Sequence, residues 1–146
     1  MADSALSLSG GPFVSVSSYL FVGLGSAFGG MARFGLSDVM TRLASPGESG
    51  FPWGTLIANV SGCFLIALLA ALTLADGRPV FDLDTRQFLM AGFLGGYTTF
   101  SAFGLQTLEL AQAGDWSAAG LNVGLSVVAS LVAVWLGWLA GSAVTG

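Results

Sequence analysis

The sequence GFLGGYTTFSAFGLQTLEL, residues 92–110, decides how this chain folds. It is apolar enough to lie in a membrane, yet three glycines, two threonines and a serine fall within residues 92–103. Glycine weakens a helix, and the hydroxyl groups of threonine and serine compete for its backbone hydrogen bonds. The stretch therefore predicts a membrane-spanning helix that is broken near its middle.

The composition of the whole chain is that of an integral membrane protein. Of its 146 residues, 54% are hydrophobic and 8% are charged, whereas soluble domains carry about 25% charged residues. The net charge of −4 and the lack of basic clusters argue against nucleic acid as a partner. The sequence has no lysine and no histidine, which removes the commonest general base and any Schiff-base amine.

Hydrophobic segments predict an all-α fold with four transmembrane helices in a single integral membrane domain, residues 1–146. Each segment has at least the roughly 20 residues that are needed to cross a bilayer core of about 30 Å. The N-terminus has no positively charged region, so it is read as a short polar tail and not as a signal peptide. The predicted helices cover residues 15–40, 53–75, 87–113 and 116–143, after a tail at 1–14.

The distribution of arginines gives almost no preferred orientation in the membrane. Four spans place both termini and the second loop on one side, with Arg78 and Arg86. The other side has Arg42, and also Arg33 if it sits at the end of the first helix. Either a weak positive-inside bias suffices, or the protein inserts in both orientations. Two copies in opposite orientation would form an antiparallel, dual-topology homodimer.

Small residues recur every four positions in the first two predicted helices. Gly25 and Gly29 have this spacing, and Gly54, Ala58 and Gly62 repeat it in the second helix. Small-xxx-small spacing lets helix backbones approach closely. These residues therefore predict close helix packing.

Polar residues within the first two predicted spans need hydrogen-bond partners or access to water. Asn59 needs hydrogen-bond partners in a bilayer, either on a neighbouring helix or in a water-filled cavity. Thr55 lies one turn earlier on the same face. Arg33 either extends to the membrane interface or supplies positive potential to an aqueous vestibule.

The stretch at residues 92–110 also suggests how ions could be bound. Carbonyl groups released by a helix break are good ligands for a hard monovalent cation such as Na⁺. Phe100 and Phe103 share a helix face. They either pack against lipid and protein or turn their electropositive ring edges toward a small anion in a narrow pore.

Three motifs together resemble the CrcB/Fluc family of fluoride channels, over residues 20 to 140. They are GGMARFGLS at 29–37, FPWGTLIANVSGCFLIALL at 51–69 and GFLGGYTTFSAF at 92–103. The resemblance implies a multi-pass protein of the inner (plasma) membrane that forms a dual-topology, antiparallel homodimer. It also implies passive export of fluoride through two pores at the dimer interface, with a structural sodium ion at the dimer centre.

The resemblance assigns expected roles to individual residues of this chain. Asn59 resembles the pore-facing asparagine, and Phe100 and Phe103 resemble the phenylalanines that line the fluoride path. Gly95 and Thr98 resemble the residues whose backbone carbonyls hold Na⁺. The remaining pore residues are expected to be Thr55, Ser126 and Ser130 as hydroxyl donors and Arg33 near the vestibule.

One position departs from the family pattern. Many members have a glutamate three residues after the second phenylalanine, where this chain has Gln106. Glu109 follows about one helical turn later and is the nearest carboxylate that could take its place. The departure puts in doubt any mechanism that needs a carboxylate at this position.

Two other functions are compatible with four dual-topology helices. A small multidrug-type, proton-coupled exporter would depend on an acidic residue within the first helix, whereas the first acid after Asp3 is Asp38 at the end of that span. The other alternative is a non-transporting membrane scaffold. An enzyme is not expected, because no histidine, paired carboxylates or nucleophile–base set lies within the spans.

Overall fold

The regular secondary structure is helical throughout the part of the chain that the structure describes. In this computed structural model the described residues are 15–43, 50–74 and 80–145. The predicted polar tail at 1–14 lies outside them. We name five helical segments: α1 (Val16–Leu43), α2 (Trp53–Leu74), α3 (residues 83–97), α4 (Phe100–Gln112) and α5 (Trp116–Thr145).

Helix α3 begins at Leu83, before the predicted start at residue 87, because Asp82 caps it. The Asp82 carboxylate accepts hydrogen bonds from the backbone N–H and the hydroxyl of Thr85. The hydroxyl bond is the main reason why the pKa of Asp82 lies below its ordinary value. This cap satisfies backbone N–H groups that the first turn leaves free.

The third hydrophobic segment is not one regular α-helix. Residues Gln87–Leu94 of α3 have π-helical hydrogen bonding. This form is rare in proteins, and where it occurs it often lies at a functional site. Thr98 and Thr99 then have extended backbone between α3 and α4. Helix α4 starts afresh, with the Thr99 hydroxyl accepting a hydrogen bond from the N–H of Ala102 at 3.2 Å.

Three segments within the described residues are long and apolar enough to cross a membrane, which indicates a multi-pass membrane protein. They are Trp53–Leu72, Leu83–Gln112 and Trp116–Val144. Helix α1 has the length but not the hydropathy, because five of its 28 residues are glycines and four are serines. Its composition suits contact with other helices more than contact with lipid.

The close packing predicted for α1 is confirmed. Gly25 and Gly29 are buried and lie against the backbone of α3. A Cβ atom on Gly29 would lie 2.8 Å from the backbone nitrogen of Tyr97. Only glycine therefore permits this approach of the two helices.

The small residues of α2 are also packed against other elements, as predicted. Gly54 lies against Ser37 of α1, Gly62 lies against the Thr98 side chain, and Ala58 is fully buried. On the opposite side, Gly137 of α5 lies against the backbone of Phe64. Helix α2 is therefore held between α5 and the end of α3, where the chain becomes extended.

Candidate functional site

A cavity of about 500 Å³ lies where α2 and α5 meet the junction of α3 and α4. The extended residues Thr98 and Thr99 form part of its wall. The cavity brings together all but two of the residues predicted for ion binding. Those present are Asn59, Gly95, Thr98, Phe100, Phe103, Ser126 and Ser130.

Asn59 fixes the extended backbone in place. Its Nδ2 donates to the Thr99 carbonyl at 3.0 Å, and its Oδ1 accepts from the Thr99 N–H at 2.7 Å. This pairing determines which end of the amide is oxygen and which is nitrogen. An amide nitrogen carries two hydrogens, so Asn59 retains a second N–H beside the cavity.

Two backbone N–H groups near the extended residues donate to side chains. In an unbroken helix they would donate to backbone carbonyl groups. In a regular helix the Thr99 N–H would donate to the Gly95 carbonyl, but here it donates to Asn59. The N–H of Ala102 would similarly serve the Thr98 carbonyl, but it donates to the Thr99 hydroxyl. Gly95 and Thr98 are both residues of the cavity wall, and the N–H groups that would pair with their carbonyls in a regular helix donate to side chains instead.

Phe100 and Phe103 contact one another but differ in their surroundings. Their ring centroids are 5.2 Å apart and the rings are tilted by 49°. Phe103 is only 8% exposed, whereas Phe100 at the start of α4 is 82% exposed. The chain therefore covers one ring and leaves the other projecting from the edge of the cavity.

Ser126 and Ser130 bring hydroxyl groups from α5 to the cavity wall, one helical turn apart. Ser126 is buried, and its hydroxyl donates to Oδ1 of Asn122 at 3.4 Å. Asn122 in turn donates from Nδ2 to the Thr107 hydroxyl at 2.8 Å. The hydroxyl of Ser126 is therefore one end of a buried polar chain that links α5 to α4.

The other two predicted residues, Thr55 and Arg33, do not line this cavity. Thr55 is buried and lines a second cavity of about 480 Å³ together with Gln106 and Glu109. Arg33 lies on α1, and its Nε donates to the Gly96 carbonyl at 3.5 Å. Arg33 thus contacts α3 immediately before the extended residues.

Gln106 has an unusual environment in the second cavity. Its Oε1 atom is buried and has no hydrogen-bond partner within the described residues. Glu109 is exposed and lies at the wall of the same cavity. The amide and the carboxylate are therefore neighbours around one opening, although they differ in burial.

Sequence reasoning missed Asn122, which at 1% exposure is the most deeply buried large side chain among the described residues. The signal was available, because Asn122 lies six residues after Trp116 just as Asn59 lies six after Trp53. Each amide is close to one end of an apolar helix. An amide within a membrane needs hydrogen-bond partners, and this argument applies to Asn122 as it does to Asn59.

Comparison with known proteins gives consistent matches over most of the chain. The family described as "CrcB-like protein, Camphor Resistance (CrcB)" matches residues 20–138. A protein of Paramagnetospirillum magneticum named "Fluoride-specific ion channel FluC" is 54% identical over 125 residues, which are 86% of this chain and 95% of that protein.

Two further relatives carry the same name. The protein of Opitutus terrae is 50% identical over 125 residues, covering 86% of this chain and 92% of the relative. The protein of Rhodospirillum rubrum is 52% identical over 120 residues, covering 82% of this chain and 91% of the relative. The matched region contains α2, α3 and α4 and most of α1 and α5.

Proposed function

This chain belongs to the CrcB-like protein family, and from that premise we propose that it is a passive, fluoride-selective ion channel. The observation that carries the proposal is the cavity in which an amide, two serine hydroxyls and two phenylalanine rings meet beside extended backbone. Relatives that are 54% and 50% identical over 125 aligned residues are named fluoride-specific ion channels. The proposal therefore rests both on kinship and on the chemistry of the site.

The side chains of the cavity suit a small, strongly hydrated anion. Fluoride needs hydrogen-bond donors in place of water, and the second N–H of Asn59 and the hydroxyl of Ser130 can supply them. The edges of the phenylalanine rings carry positive potential. Several moderate sites in series let an ion both enter and leave.

We propose that a second copy of the chain completes the site. Phe100 projects from the edge of the cavity with most of its ring uncovered, and large apolar side chains are exposed along α5. An antiparallel pairing of two copies would cover such rings and enclose two pores. The near balance of arginines between the two sides is compatible with insertion in both orientations.

Helix α1 is proposed as the fourth span. Its 28 residues give a length of about 42 Å at 1.5 Å per residue. It packs against α3 through buried glycines and has exposed apolar residues such as Leu20, Leu24 and Met31. With four spans the chain would return to the side of the membrane on which it began.

The carbonyl groups of Gly95 and Thr98 fit a structural sodium ion. Both belong to residues at the cavity, and side chains have taken the donors that would occupy them in a regular helix. Oxygen ligands of this kind suit a hard cation. Bound there, Na⁺ would neutralise the negative ends of carbonyl groups contributed by both copies and so hold them together.

Transport in this proposal is passive export across the inner membrane. A negative interior favours the exit of an anion by about 2.3 kcal/mol per charge for each 100 mV. Proton coupling of the multidrug-exporter type has little support, because Asp38 of α1 pairs with Arg42 at 2.8 Å in an exposed salt bridge. Export then depends only on the electrochemical gradient of fluoride.

The test is anion efflux from liposomes that contain the purified protein. We expect fluoride to leave much faster than chloride under the same gradient. Equal leakage of both anions, or no flux from a well-folded protein, would refute the proposal. The double change Phe100→Ile/Phe103→Ile is expected to lower fluoride flux at least tenfold, while the control Leu105→Ile, outside the cavity on the same helix, should leave it unchanged.

A further inference from the structure

Asn122 forms the centre of the buried polar chain between α4 and α5. Its Nδ2 donates to the Thr107 hydroxyl at 2.8 Å, and that hydroxyl donates to the Phe103 carbonyl at 2.7 Å. Its Oδ1 accepts from the Ser126 hydroxyl at 3.4 Å. One amide is therefore linked to two residues of the cavity, Phe103 through Thr107 and Ser126 directly.

The hydrogen bond from Ser126 affects what this residue can offer to an anion. A hydroxyl group has a single proton to donate. While that proton points to Asn122, the hydroxyl cannot donate it to an ion in the cavity. The O···O distance of 3.4 Å is well beyond the roughly 2.7–2.8 Å of a typical hydroxyl bond. The bond is therefore weak, and the hydroxyl can give it up for another acceptor.

We propose that Asn122 is a positioning residue that competes with fluoride for the proton of Ser126. An ion that accepts this proton must first displace the bond to Asn122, which keeps fluoride binding at Ser126 moderate. When the ion leaves, the Ser126 O–H turns back to Oδ1 of Asn122, so the hydroxyl again has a hydrogen-bond acceptor. This inference rests on the proposed function, because it concerns how the same cavity holds and releases fluoride.

A purely structural role for Asn122 makes a different prediction. If the amide only joins α4 to α5, loss of its bond to Thr107 should matter most, because Ser126 lies on α5 together with Asn122. If it competes for the Ser126 proton, only the loss of Oδ1 should alter fluoride affinity. Thr107→Val removes the first bond while leaving Oδ1 in place.

The experiment compares initial fluoride efflux over a range of fluoride concentrations. The key variant is Thr107→Val/Asn122→Leu, which replaces both members of the buried pair by apolar groups, so that neither is left without the other. The Ser126 hydroxyl then loses its acceptor on Asn122. Relative to Thr107→Val alone, we expect the half-saturating fluoride concentration to fall about two- to tenfold, the range that one net hydrogen bond represents. The maximal rate should fall because release becomes slower.

The same comparison in a Ser126→Ala background supplies the decisive control. Without the Ser126 hydroxyl, loss of Oδ1 should no longer shift the half-saturating concentration. Asn122→Ala, which adds no bulk, gives a second route to the same loss if the double variant does not fold. A shift that persists without Ser126, or no shift in its presence, would overturn the inference while leaving the channel function intact. Absence of fluoride flux from the wild-type protein would overturn both.

Discussion

The helices are interrupted between α3 and α4 and again between α4 and α5, and these two interruptions are stabilised in different ways. Between α3 and α4, extended Thr98 and Thr99 are held by the side chain of Asn59 from another helix. Between α4 and α5, the turn at Gly114 is held by its own backbone. The first interruption depends on a residue that is 40 positions away in the sequence. The second depends on residues only a few positions away in the sequence.

The local turn satisfies its hydrogen bonds with a Schellman arrangement. Gly114 has a φ of 84°, its N–H donates to Ala111, and the next N–H, of Asp115, donates to Leu110. Asp115 then caps α5 by accepting from the N–H of Ala118 at 2.9 Å. Glycine followed by aspartate is enough to specify this end of one helix and start of the next.

The interruption between α3 and α4, the interior interruption, follows a different rule. Extended backbone at the depth of a membrane must find partners inside the protein, because lipid offers none. Asn59 supplies both a donor and an acceptor to one residue, which leaves nearby carbonyl groups available for other ligands. An interruption held by a distant side chain can therefore be stable and still leave carbonyl groups for an ion.

The largest effect is expected from Asn59→Leu. This change leaves the N–H and carbonyl of Thr99 without partners, which should lower the free energy of unfolding by about 2–4 kcal/mol. Fluoride flux should fall at least tenfold, because the extended backbone shifts. Unfolding in detergent and liposome efflux measure the two effects. Ser61→Ala is the control on the same helix, since it removes hydrogen bonds without touching Thr99; an equal loss in the control would show that the interior interruption has no special dependence on Asn59.

An intermediate effect is expected from Gly29→Ala, which tests whether α1 supports α3 just before the interruption. The added methyl would press against the backbone of Phe93 and Tyr97, so stability should fall by about 1–3 kcal/mol. The adjacent change Gly30→Ala meets open space and should stabilise the helix by up to about 1 kcal/mol. Thermal unfolding of both variants in detergent measures the difference, and similar midpoints would contradict the close contact.

The smallest effect is expected from Gly114→Ala. A positive φ is unfavourable for alanine, and the free energy of unfolding should fall by about 1 kcal/mol. Fluoride flux should stay at the wild-type level, because the turn lies outside both cavities that contain the predicted site residues. Gly120→Ala, which meets open space on α5, is the control. A loss of flux in Gly114→Ala would show that the local turn is coupled to the site after all.

Local sequence gave good guidance wherever the cause of a feature is local. Helix packing through Gly25 and Gly29 could be predicted from their spacing. The start of α3 was predicted late, because the capping role of Asp82 in the segment DGRPVFDLDTR was not recognised. Asn122 was missed although its position in α5 parallels that of Asn59 in α2.

The sequence by itself determined that apolar helices dominate this protein, because lipid-compatible composition and helix-forming runs are properties of consecutive residues. It also predicted a helix break within residues 92–103. Only the tertiary structure decided which side chains meet at the interruption and which hydrogen bonds they make. Pairing of Asn59 with Thr99, and of Asn122 with Thr107 and Ser126, depends on how separate helices pack. Such packing depends on contacts between residues far apart in the chain, and no local pattern specifies them.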